Sequence, residues 1–76
     1  MYRVHKVLNG TTGEVASVGS GFCPAFILQA NSTEYILEGA NGVTFGIKVP
    51  SSAADTLYEI SIVRVITNPG KVTILT

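Results

Sequence analysis

The stretch Val43-Thr44-Phe45-Gly46-Ile47-Lys48-Val49 decides the fold class. Its odd positions are Val, Phe, Ile and Val, and its even positions are Thr, Gly and Lys. That two-residue alternation belongs to a strand with one side against a core. Just ahead of it, Gly39-Ala40-Asn41-Gly42 contains the Asn-Gly pair that supplies positive φ angles to hairpin turns. Residues 34–38 are therefore expected to be its antiparallel partner, entered through Asn31-Ser32-Thr33, and Pro50 ends residues 43–49 at the far side.

Toward the N-terminus, residues 25–30 are apolar on both faces, as in a central or interface strand. They follow the loop Gly19-Ser20-Gly21-Phe22-Cys23-Pro24. Residues 2–8 read as a strand, and Asn9-Gly10-Thr11-Thr12-Gly13 offers the reversal for a hairpin into residues 14–18. Toward the C-terminus, residues 51–56 read as a loop or one helical turn, because Ser52 and Asp55 are spaced like a capping box. The long run 57–67 changes phase: Tyr58, Ile60 and Ile62 occupy even positions, then Val63 and Val65 odd ones. A β-bulge near Val63, or a strand bent across two sheets, would reconcile the two halves. Pro69-Gly70 fits the centre of a type II turn ahead of residues 71–75. The expectation is an all-β fold, a small antiparallel β-sandwich or barrel of about seven short strands. Residues 1–76 form a single domain without repeat, low-complexity tract or linker.

Composition bounds what such a domain does. A chain of 76 residues buries only roughly 60% of the surface its unfolded form exposes, yet 46% of its residues are hydrophobic and 13% charged. Some apolar surface is left for a partner, and contiguous apolar surface marks interaction sites. Five basic residues balance five acidic ones, so no field draws the chain to nucleic acid or to anionic lipid. Residues 1–8 lack the apolar core of a secretory signal, and no apolar run approaches the roughly 20 residues that span a bilayer. The single cysteine, Cys23, gives no disulfide framework and fits a reducing compartment.

Residue types that carry chemistry are sparse. His5 and Cys23 are the sole histidine and cysteine; as a nucleophile and base they would lack a third, orienting group. One His and one Cys do not make a zinc site. Glu34, Glu38 and Glu59 would do acid/base work only if they gathered on one face with separated pKa values. Gly19-Ser20-Gly21-Phe22-Cys23-Pro24 has Pro24 where a dinucleotide fingerprint needs its third glycine, and no helix follows. Arg3, Lys6, Lys48, Arg64 and Lys71 are scattered rather than interleaved with aromatics. Asn9-Gly10-Thr11 and Asn31-Ser32-Thr33 match the glycosylation pattern but read most simply as turns. No enzyme, cofactor or metal is expected.

The sequence thus points to a non-enzymatic interaction module that docks on, or oligomerises within, a larger assembly. Its partners are protein, namely further copies of itself or a structure such as a capsid, with no nucleic acid and no membrane. The interface is placed at Phe22, Phe26, Ile27 and Leu28. A phage virion accessory, such as a capsid decoration or cement protein made in the host cytoplasm, is the specific form expected; outside a virion the chain would be cytoplasmic. The alternative is a small carbohydrate- or ligand-binding domain that stacks its ligand on Tyr2, Tyr35 or Tyr58.

Overall fold

The computed structural model describes residues 2–10, 14–15 and 23–76. Among them are eight strands: β1 (Val4–Asn9), β2 (Glu14–Val15), β3 (Ala25–Leu28), β4 (Glu34–Gly39), β5 (Thr44–Lys48), β6 (Thr56–Tyr58), β7 (Ile62–Thr67) and β8 (Lys71–Leu75). They form two four-stranded sheets, in the orders β1-β8-β3-β6 and β2-β7-β4-β5. All pairings are antiparallel. The expected all-β sandwich is what the chain adopts.

The core lies between the sheets. Phe26, Leu28, Val72 and Ile74 come from the first sheet and Tyr35, Leu37, Ile62 and Val65 from the second, joined by Leu8, Cys23 and Val49. The hairpin β4–β5 forms as the Asn-Gly signal demands. The Gly42 N–H donates to the Gly39 carbonyl (3.0 Å) and the Gly39 N–H to that of Val43 (2.9 Å). Asn41 Oδ1 accepts from the Val43 N–H (3.1 Å), and Gly42 takes φ of 84°, the left-handed conformation that glycine adopts without a Cβ penalty. Phe45, Ile47 and Val49 lie on the core side as expected, whereas Val43, at the start of an edge strand, stays exposed.

The phase change in residues 57–67 has two causes, and both anticipated explanations hold. The run crosses from one sheet to the other, ending as β6 and resuming as β7. Within β7 the register against β4 shifts twice. Ile66 is extra between the Ile36–Thr67 and Leu37–Val65 pairs, and Val63 is extra between Glu38–Arg64 and Gly39–Ile62. Two bulges convert the two-residue period to a three-residue one, so Ile62, Val65 and Asn68 are buried. Ile60, expected inside, lies exposed on the crossing between sheets, and Val63 is half-buried at its bulge.

Two local expectations are corrected, and at a third place one of two alternatives holds. β1 does not form a hairpin with residues 14–15; it pairs with β8, whereas β2 pairs with β7 in the other sheet. Gly10, with φ of 62°, donates to the Gly70 carbonyl (2.8 Å), so the turn signal marks a departure between sheets. Residues 16–18 lie outside the described residues. Of the two readings of residues 51–56 the loop holds and the helical turn does not: the Ala53 N–H closes a turn on the Pro50 carbonyl (2.9 Å). Asp55 Oδ1 instead accepts from the Ala30 N–H (3.0 Å). Pro69-Gly70 is not a type II turn, because Gly70 lacks the positive φ that geometry requires. Asn68 shapes this corner, with Oδ1 accepting from the Gly70 N–H (3.1 Å) and Nδ2 donating to the Leu8 carbonyl (3.0 Å). Gly70 is required by proximity instead. A Cβ there would meet Asn31 Nδ2, with Gln29 Oε1 at 2.6 Å and the Tyr35 hydroxyl at 2.9 Å.

These contacts make one end of the sandwich a polar knot that joins both sheets. The Tyr35 hydroxyl donates to the Gln29 carbonyl (2.7 Å) and accepts from Asn31 Nδ2 (3.2 Å). Burial raises the Tyr35 pKa above its ordinary value, aided by the Asp55 charge and opposed by hydrogen bonds.

Candidate interaction surface

Register fixes which residues face away from the core. In the first sheet the inward row is Leu8, Val72, Leu28 and Thr56. One residue along each strand, Val7 pairs with Thr73, Thr73 with Ile27, and Ile27 with Leu57. Alternation sends this second row outward. A single row of apolar side chains and one threonine therefore runs across all four strands. Val7 is 43% exposed and Leu57 45%, and Val4, farther along β1, is 63% exposed; Ile27 and Thr73 are half-buried between them.

One end of this face is already covered. Leu75 and Ala25 lie two residues beyond Thr73 and Ile27, on the outward side, yet both are buried. At that end the Tyr2 hydroxyl donates to Glu59 Oε2 (2.6 Å). This bond links the segment ahead of β1 to the residue after β6, the two edges of the sheet, and so spans the central strands between them. The hydrogen bond to Glu59 raises the Tyr2 pKa, because ionising the phenol would break it.

The outward side of the second sheet is different chemistry. Glu34 and Glu38 on β4, Thr44 and Lys48 on β5 and Arg64 on β7 project there. Arg64 is bridged to Glu38 (2.7 Å), and Glu34 pairs in register with Lys48. The Glu34 carboxylate lies over Gly46, where a Cβ would collide with it.

The anticipated interface residues separate by the same alternation. Phe26 and Leu28 are fully buried between the sheets, and Phe26 stacks on Tyr58 with ring centroids 5.6 Å apart. Their side chains are spent on the core. Ile27 alone of that run reaches the outer face, and Phe22 lies outside the described residues. Sequence reasoning missed Val4, Val7, Leu57 and Thr73. The available signal was that residues 25–28 and 72–75 are apolar at both parities, which a sheet packed on one side does not need.

The other candidate groups do not converge. Cys23 is fully buried, and burial raises its thiol pKa, leaving it protonated and a poor nucleophile. His5 is exposed on β1. Glu34 and Glu38 share one outer face, while Glu59 serves Tyr2 beside the other sheet. Of the three tyrosines, Tyr35 is core and Tyr58 is half-buried against Phe26, so Tyr2 alone is exposed. Asn31 commits its amide to Tyr35 and to the Thr33 N–H. An open groove of about 390 Å³ lies at the hairpin end, beside Val43, Phe45 and Ile60.

No protein-family model, curated protein or solved structure matches the chain.

Proposed function

We propose that the protein is a non-enzymatic structural module that docks on, or oligomerises within, a larger protein assembly. One observation carries this reading: the row Val7–Thr73–Ile27–Leu57 puts apolar groups on a broad outer face. A monomer gains no stability from leaving such groups in water, whereas covering them is favourable at roughly 25 cal/mol per Å². The opposite face, with its carboxylates and cations, is costly to desolvate and suits solvent. A virion setting, as a capsid decoration or cement protein, is the specific form of the proposal. Its support is the small, charge-balanced, all-β build.

The test is the size of the native particle. In extract from the source, wild-type protein is expected to fractionate well above its 8.0 kDa chain mass, and Leu57→Lys to fall back toward it. Fractionation of the wild type as a free single chain would overturn the reading.

A further inference from the structure

We infer that the apolar face of the first sheet pairs with the same face of a second copy, about a two-fold axis running along the strands. This rests on the docking reading above and names its partner.

Four observations select a second copy and that axis. The first is size. The molecule measures 34 × 26 × 18 Å, and sheets packed about 10 Å apart make the thin direction the stacking one. The broad face then covers roughly 700 Å² as an ellipse, close to the roughly 800 Å² per partner of a stable interface. The apolar row sits across it with polar groups at the ends, the usual anatomy of an interface.

The second is that only one described broad face is apolar. Stacking the apolar face of one copy on the charged face of the next would bury Glu34, Glu38 and Lys48. Pairing like with like buries none of them, and closes at two copies.

The third concerns the sheet edges, the other route to self-assembly. β1 carries a register shift between Val4 and Lys6, and Lys6 stands opposite Ile74, a core residue. A bulge and a charged residue at a core-side position both hinder edge-to-edge pairing. β6, at the other edge, is three residues long.

The fourth is charge, which chooses between the two axes that lie in the face. Arg3 continues β1 beyond Val4, exchanging hydrogen bonds with Thr76 (3.0 and 2.8 Å). Glu59 follows Tyr58 at the same end of the sheet, on the opposite edge. Asp55 precedes β6 at the far end of the sheet, the end that also carries Asn9 and Lys71. An axis along the strands lays β1 of one copy over β6 of the other. Val7 then meets Leu57 of the second copy, and Glu59 lies over the β1 end, where the charged residue is a cation, Arg3, rather than a carboxylate. An axis across the strands would lay β6 over β6 and set Glu59 against Asp55, a repulsive pairing that costs affinity.

The experiment is analytical ultracentrifugation of the purified full chain with Val7→Lys, Leu57→Glu and the double variant. Both sites are exposed in the single chain, and circular dichroism checks that each variant keeps the β signal. The wild type is expected to dimerise reversibly, and each single variant to dissociate it on the order of 100-fold more readily by facing a charge with an apolar group. The double variant should recover most of that loss, because the ammonium introduced at position 7 of each copy would face the carboxylate introduced at position 57 of the other. A dimer that the single variants break and the double variant breaks further would overturn the axis along the strands. A wild type monomeric at every concentration would overturn the second-copy pairing. Docking on a different protein would then survive only if the native particle still depended on Leu57.

Discussion

The two outer faces of this sandwich are built by the same alternation and end with opposite chemistry. On β4 and β5 the outward positions are Glu34, Ile36, Glu38, Thr44, Gly46 and Lys48, so the second sheet is oily inside and carries most of its charge outside. On β3 and β8 the outward positions are Ala25, Ile27, Lys71, Thr73 and Leu75, so the outer side of the first sheet is mainly apolar, with Lys71 at its end. One core needs only one apolar side from each sheet. The second oily side of the first sheet is therefore surplus to folding, which makes it the part of the molecule whose chemistry is explained by something outside the chain.

Neighbouring residues on β3 give the sharpest way to break that comparison. Phe26→Ala removes a fully buried ring stacked on Tyr58 and is expected to cost about 3–5 kcal/mol of stability. Ile27→Ala, one residue on but facing out, is expected to cost about 1 kcal/mol in the monomer while weakening association. Urea unfolding at a concentration that keeps the chain monomeric measures both. Equal losses at the two positions would make the outer face a second core.

A change at the polar knot separates how the sheets are held from what their outer sides do. Tyr35→Phe deletes a hydroxyl that donates to Gln29 and accepts from Asn31, at a cost of about 1–3 kcal/mol. It also alters the pH profile. Burial raises the Tyr35 pKa in the folded chain, above the value of about 10 expected when unfolded. The folded state then holds its proton longer than the unfolded state does. This contribution is complete below about pH 10 and is lost as pH rises through the folded value. Wild-type stability should fall in that alkaline range, and Tyr35→Phe should fall less steeply. Self-association at neutral pH should be unchanged; a loss of it would tie the apolar face to the knot.

How much of this was legible follows from how each signal is encoded. The β4–β5 hairpin was readable because its turn chemistry and its alternation are local. The bulge near Val63 was readable as a conflict of phase, since two short patterns disagreed within one run. The partner of β1 was not readable: Asn9 and Gly10 announce a reversal without saying which strand is reached, and β8 lies at the other end of the chain. The interface was half legible for a similar reason. Surplus oil in residues 25–28 was visible, but which side of β3 faces the core depends on register with β8 and β6, so Phe26 and Leu28 could not be told from Ile27. Val7 and Leu57 stand 50 positions apart and meet in one row only through two intervening strands.

The smallest effect expected lies on the charged face, where it still bears on the comparison. Arg64 and Glu38 are bridged at 2.7 Å with both side chains partly exposed, so their coupling should be about 0.2–1 kcal/mol. A double-mutant cycle with Glu38→Gln and Arg64→Met measures it apart from the cost of each single change. In about 1 M salt, where the screening length is roughly 3 Å, the coupling should shrink toward zero. A coupling well above about 2 kcal/mol that resists salt would mean a desolvated ion pair. Such a pair requires something to cover the second sheet, and the contrast between a covered face and a solvated one would then be reversed.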